Sequence, residues 1–197
     1  MASILDMPEV RERVSRISVE DYHRMGEFNE NRRRTELLRG IVIEKTSKSA
    51  LHRWLAGRLH RLIAACIPEG FFVLKEEPLT LQDSEPEPDV SVIKGQEDDF
   101  FSHHPSSAAL VVEVAVSSPA LDRASASMYA EAGIEEYWIV LGREQRIEVY
   151  RQPVQGQYQE KRVFSRGQTL ACAAVLGVVV ELDVLFAQPS GGGGAEP

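Results

Sequence analysis

Cysteine is scarce in this chain of 197 residues, with two copies, Cys66 and Cys172. Both sit in apolar contexts (Ala64-Ala65-Cys66-Ile67 and Leu170-Ala171-Cys172-Ala173), the setting of small buried hydrophobes rather than of a disulfide framework or a thiolate metal site. A long apolar run is also lacking. The most apolar stretch, Leu170 to Val180, is too short to span a bilayer, and the first residues carry no charged-then-apolar leader pattern. We therefore expect a soluble, cytoplasmic protein with no membrane role. Positive charge is the third shortage: 22 Lys and Arg stand against 30 Asp and Glu, a net charge of −8. That balance argues against a generic nucleic-acid coat. The deficit is uneven, however, because residues 1 to 61 hold thirteen Lys/Arg against nine Asp/Glu, and a locally basic arm is suited to engaging phosphates in one groove.

What is present is enough sequence for one domain with its own core. Residues 1–17 have mixed charge and are expected to be poorly ordered, residues 18–187 form a single domain, and residues 188–197, with four consecutive glycines, make a flexible tail. Ser18 reads as the N-cap of a helix with Asp21 in its first turn. Arg32-Arg33-Arg34 precede a hairpin from Thr35 to Glu44 around Gly40. From Ser49 to Ile67, Leu51, Leu55, Leu59, Leu62, Ile63 and Cys66 fall on one helical stripe, with Arg53, Arg58 and Arg61 off it. Strand regions are expected at Phe71–Leu74 and Pro78–Leu81, and an acidic, Pro-rich turn from Asp83 delivers Asp89 and a strand to Ile93. A polar loop, Gly95 to Ser107, contains His103 and His104, read as solvated because adjacent side chains point apart. Leu110–Val116 is a strand, Ala120–Ala132 a helix closed by Gly133, and Glu136–Leu141 pairs with Arg146–Arg151 as a hairpin. Strands at Tyr158–Phe164 and Val178–Phe186 complete an α/β sheet of mixed direction.

The chemistry concentrates at two acids. Glu113 lies in Leu110-Val111-Val112-Glu113-Val114-Ala115-Val116, and a carboxylate inside so apolar a strand is costly to bury unless its charge is compensated. Asp89 follows Pro88 at the start of the preceding strand. The two carboxylates can converge on one divalent cation, Mg²⁺ or Mn²⁺, which favours oxygen ligands. Paired acids at such an ion point to phosphodiester hydrolysis. The bland alternatives are a turn acid at Asp89 and a buried acid at Glu113 paired with Arg53 or Arg123.

Pro88-Asp89 followed by Glu113 in a Val-rich strand resembles the PD-(D/E)XK nuclease superfamily, and within it the Uma-type family of restriction endonucleases. The resemblance runs in order through Thr35-Glu36-Leu37-Leu38-Arg39-Gly40, His52, Glu87-Pro88-Asp89-Val90, Val111-Val112-Glu113-Val114 with Ser117 to Pro119, and Tyr129 to Val140. It implies a restriction-endonuclease-like core, helix-strand-strand-strand-helix-strand, with a mixed sheet extended by N- and C-terminal strands. It further implies Asp89 and Glu113 as catalytic metal ligands, the Val114 carbonyl as a third ligand, Glu36 as an additional acidic group, and DNA as substrate. His52 matches a family position suited to a phosphate contact or a helix cap; Arg53 and Arg123 are candidate phosphate contacts. A homodimer is expected for two-strand cleavage, with the Trp138 strand and the segment from Val178 to Phe186 as the covered surface; Trp138 and Tyr137 are read as core and interface.

One departure stands out. The family's lysine belongs two positions after Glu113 or four before Tyr129, and this chain has Ala115 and Ser125 there, with no lysine between Lys94 and Lys161. Arg123 and Lys94 are candidate substitutes. Two readings stay open: a competent endonuclease, and a degenerate nuclease fold that binds nucleic acid or a protein.

Overall fold

The computed structural model describes residues 7–27 and 34–188. Arg32, Arg33 and the tail from Pro189 lie outside the described residues. The chain forms two compact units, one made of Met1–Thr46 with Thr80–Pro86 and the other of Ser47–Leu79 with Glu87–Pro197.

The first unit holds helices α1 (Pro8–Arg11) and α2 (Val19–Glu27) and the antiparallel hairpin β1 (Thr35–Leu38) and β2 (Ile41–Glu44). Ser18 caps α2 as its sequence suggests, its Oγ accepting from the Asp21 N–H at 3.1 Å. Both turn residues, Arg39 and Gly40, have positive φ (54° and 74°), the backbone that a two-residue hairpin twisted like its strands requires. Leu37 is fully buried and bridges to Glu85, whose carboxylate accepts from Thr80 Oγ1 at 2.8 Å and pairs with His23 at 2.7 Å.

The second unit carries α3 (Ala50–Ala64), β3 (Phe71–Leu74), β4 (Val90–Lys94), β5 (Leu110–Ala115), α4 (Ala120–Glu131), β6 (Glu136–Leu141), β7 (Arg146–Val154), β8 (Gln157–Ser165), β9 (Thr169–Ala171), β10 (Val179–Glu181) and α5 (Leu182–Phe186). A short 3₁₀ turn, Glu97–Phe100, interrupts the polar loop. Six strands form one sheet in the order β3-β4-β5-β6-β7-β8. All neighbours are antiparallel except β5 and β6, which run parallel and are joined by α4, because a parallel pair needs a crossover. The core order helix-strand-strand-strand-helix-strand is therefore present, in a mixed α/β sheet. Its extension comes from β7 and β8; the N-terminal hairpin is a two-stranded sheet of its own, as is β9–β10.

Strand alternation divides the sheet into two faces. Val90, Val92, Leu110, Val112, Val114, Trp138, Val140, Ile147 and Val149 pack with Leu55, Leu59 and Ile63 of α3 and with Leu182, Leu185 and Phe186 of α5. Each such side chain taken from water contributes about 1.5–3 kcal/mol. The opposite face carries a layer of tyrosines. Tyr129 of α4 lies 4.8 Å from Tyr137 between ring centroids, and Tyr137 is flanked by Tyr150 and Tyr158 at 5.7 and 6.4 Å. Every hydroxyl of this layer is used: Tyr129 on Glu113, Tyr137 on the Asp122 carbonyl, Tyr150 on Glu148 and Tyr158 on the Ile134 carbonyl.

Three expectations need correction. The segment from Val178 to Phe186 is a strand only over Val179–Glu181; Leu182, Leu185 and Phe186 repeat at helical spacing and are all buried by α5. No strand forms over Pro78–Leu81, where Pro78 has no N–H to give a ladder. The Trp138 strand, β6, is buried at all six positions inside the sheet, so it offers no edge to a second copy. The edges are β3 and β8. Among the described residues no helix is long and apolar enough to cross a membrane.

Candidate functional site

Asp89 and Glu113 meet because β4 and β5 are antiparallel neighbours, each acid standing one position beyond the Val90–Val112 pair. Asp89 is 3% exposed, and a buried carboxylate must be matched by donors or charge. Three groups do this. The Val114 N–H donates to Asp89 Oδ2 at 2.8 Å, His52 Nε2 stands 3.0 Å from the same oxygen, and Lys48 Nζ lies 2.6 Å from Oδ1. The Asp89 N–H donates in turn to Glu113 Oε2 at 3.4 Å, so each carboxylate is tied to the other's strand by a backbone N–H. Glu113 Oε1 accepts from the Tyr129 hydroxyl at 2.9 Å. Lys48 also reaches Glu76 at 3.2 Å, and Lys75 holds the same Glu76 oxygen at 3.1 Å.

The electrostatics follow from this packing. Burial pushes the Asp89 pKa up, but its bond to His52 and the charges of His52 and Lys48 outweigh that and hold it below the usual carboxylate range. Burial works against the Lys48 ammonium, yet Asp89 and Glu76 prevail and raise its pKa. The site therefore carries an ionised aspartate beside a firmly protonated lysine.

Helix α3 delivers the cationic side of the site. Ser49 Oγ caps it by accepting from the His52 N–H at 3.2 Å, which fixes the first turn and aims the His52 ring at Asp89, while Leu55, Leu59 and Ile63 anchor the same helix in the core. Arg53, exposed, lines a groove of about 510 Å³ with Leu51, Trp54, Gly57 and Arg61. The cationic face of Arg58 stacks on Trp54, 4.9 Å from the ring centre.

Of the residues singled out by sequence, Asp89, Glu113, Val114 and His52 come together in the second unit. Glu36 lies on β1 in the first unit, 3.4 Å from Lys45. Arg123, near the start of α4, is gripped by Glu148 of β7 through Nε at 3.1 Å and Nη2 at 2.6 Å. Lys94 is exposed at the far end of β4 from Asp89. The groups that sequence reasoning missed are Lys48, Glu76 and Tyr129. A signal for Lys48 was there, because it precedes the N-cap and stands four residues before His52; Glu76 and Tyr129 reach the site through tertiary packing that no local spacing announces.

The two carboxylates and the Val114 carbonyl are hard oxygen donors, the chemistry that a divalent cation such as Mg²⁺ or Mn²⁺ prefers. Among the described residues no group of three or more His, Cys, Asp or Glu is gathered to hold a metal ion, so water would have to complete any coordination shell.

A mixed sheet with this core order and an aspartate–glutamate pair at the junction of its central strands defines a restriction-endonuclease-like protein. The chain belongs to the family described as "Uma2: Putative restriction endonuclease", whose model matches residues 19–185. Among solved structures it is similar to a crystal structure described as a putative nuclease belonging to DUF820 from Anabaena variabilis ATCC 29413, with a TM-score of 0.70 and 18% identity over 87% of this chain and 98% of that one. At that identity the likeness speaks for the fold. No curated protein matches the chain.

Proposed function

We propose that this protein is a divalent-metal-dependent endonuclease, using Mg²⁺ or Mn²⁺, that hydrolyses phosphodiester bonds in DNA. The observation that carries the reading is the junction of Asp89 and Glu113 on adjacent central strands, locked by the Val114 N–H on Asp89 and the Asp89 N–H on Glu113. Asp89, Glu113 and the Val114 carbonyl would hold the ion, which when bound supplies charge stabilisation at the phosphorus and a more acidic water. Tyr129 orients the Glu113 carboxylate by donating to it. His52 holds Asp89 and faces the substrate side with α3, whose Arg53 guides the phosphate backbone. The reading includes a cytoplasmic homodimer, since cutting both strands of a duplex calls for two sites; the nine-residue edge strand β8 supports it as the surface where a second copy would pair.

A second reading is favoured by one specific observation: both Asp89 oxygens already meet Lys48 and His52, an arrangement that also suits a fold retained for binding without cleavage. Supercoiled plasmid separates the two. Nicking by wild type with Mg²⁺ or Mn²⁺, lost in both Asp89→Asn and Glu113→Gln, is the expected result. Intact plasmid under all conditions, with a folded protein that still retards DNA, sinks the nuclease reading.

A further inference from the structure

The position that the family's lysine would fill is empty of lysine on β5 and on α4, yet the site does contain an ammonium. Lys48, placed just before the N-cap of α3, sets its Nζ 2.6 Å from Asp89 Oδ1 and 3.2 Å from Glu76 Oε1. Its side chain is 21% exposed, so the group is anchored at the acids without being sealed from solvent. The other cations considered are committed or distant. Arg123 is held by Glu148, as is Lys161 at 3.0 Å; Lys75 is on Glu76; Lys94 sits at the opposite end of β4.

We infer that Lys48 is a catalytic residue, donating from its ammonium to a non-bridging oxygen of the scissile phosphate and neutralising the charge that builds there as water attacks. This rests on the nuclease reading above. Of the three N–H groups of the ammonium, Asp89 and Glu76 account for two, which leaves one for a phosphate oxygen, and the four-carbon stem allows a small swing toward it. In the reaction one O–H bond of water and one P–O ester bond break, a new P–O bond forms, and the water's proton ends on the departing oxygen; the ammonium gives up no proton overall.

The test uses the full chain carrying Lys48→Met, read in two ways: single-turnover cleavage of duplex DNA with Mn²⁺, and the Mn²⁺ concentration that half-saturates the rise in unfolding midpoint. Cleavage is expected to slow on the order of 10² to 10⁴-fold. Mn²⁺ binding is expected to persist and to strengthen, since one positive charge has left Asp89. A Lys48→Met chain that binds Mn²⁺ and cleaves as fast as wild type overturns the inference and leaves the nuclease reading standing. A wild-type chain that binds Mn²⁺ and cleaves no DNA overturns both. Should Lys48→Met not fold, Lys48→Gln keeps a neutral donor against Asp89 and Glu76 and carries the same outcomes.

Discussion

Glu136→Gln is expected to destabilise the protein by about 3–5 kcal/mol, although it changes one atom in a side chain far from any cleavage chemistry. Glu136 is fully buried on β6. Its Oε1 accepts from Trp138 Nε1 at 2.7 Å and Arg151 Nη2 at 2.8 Å, and its Oε2 from the N–H groups of Ala173 at 2.6 Å and Ala174 at 3.2 Å. Every neighbour is a donor. A glutamine must turn its NH₂ toward one of these pairs, and either orientation sets donor against donor. Two bonds to a charged acceptor are lost, each worth about 1.5–3 kcal/mol, and Arg151 is left without its counter-charge. Against a total stability of about 5–15 kcal/mol, the midpoint should fall by roughly 6–20 °C at about 2–4 °C per kcal/mol for a chain of this size. Urea melts followed by tryptophan fluorescence measure it, since Trp138 reports from the perturbed spot. A loss below about 1 kcal/mol would show that the backbone near Ala173 moves away freely and that the donor cage is not a constraint.

Mg²⁺ or Mn²⁺ should raise the unfolding midpoint, by about 2.7 kcal/mol of stability at a hundredfold excess over Kd; Asp89→Asn should abolish the rise, and an unchanged wild-type midpoint at saturating metal refutes the metal site. Glu148 is held at a pKa of about 2, because Arg123, Tyr150 and Lys161 outweigh its burial. A folded pKa below the unfolded value of 4.5 means that its contribution is present above pH 4.5 and disappears as pH falls toward 2, so Glu148→Gln should flatten the acid limb of stability against pH in that window, and parallel limbs would refute the assignment. Tyr129→Phe removes the donor to Glu113 and should cost about 1.5–3 kcal/mol in chemical denaturation; a neutral effect would mean that Glu113 is oriented by other groups. Light scattering should report twice the monomer mass of 22.0 kDa, and a monomer at micromolar concentration excludes the dimer.

Sequence pattern revealed the framework where one physical signal dominated. The stripe Leu55, Leu59, Ile63 announced α3, and the β-branched run around Glu113 announced a central strand. Pattern was misleading where two signals competed: Val178 to Phe186 is β-rich in composition, but burial at helical spacing decides its second half. In the site, Asp89 and Glu113 were legible because strand order places them. Lys48 was signalled only by its place just before the start of α3, because its partner Asp89 lies 41 residues away and a lysine between two serines reads as surface. Arg123 looked available for the same reason: the grip of Glu148 depends on the β6–β7 register, which sequence spacing does not disclose.

The tyrosine layer under α4 has an optical consequence. Burial, with neighbouring negative charge, raises the pKa of Tyr137 and Tyr158, and burial raises that of Tyr150 although Lys161 opposes it. The hydroxyl protons of the layer are engaged in bonds that tie α4 to β5 and β6, and β8 to the turn that follows α4. Phenolate absorbance in strong alkali therefore develops from these rings only as the layer opens, which makes an alkaline spectrophotometric titration a label-free clock for the detachment of the helix that holds Glu113 in place.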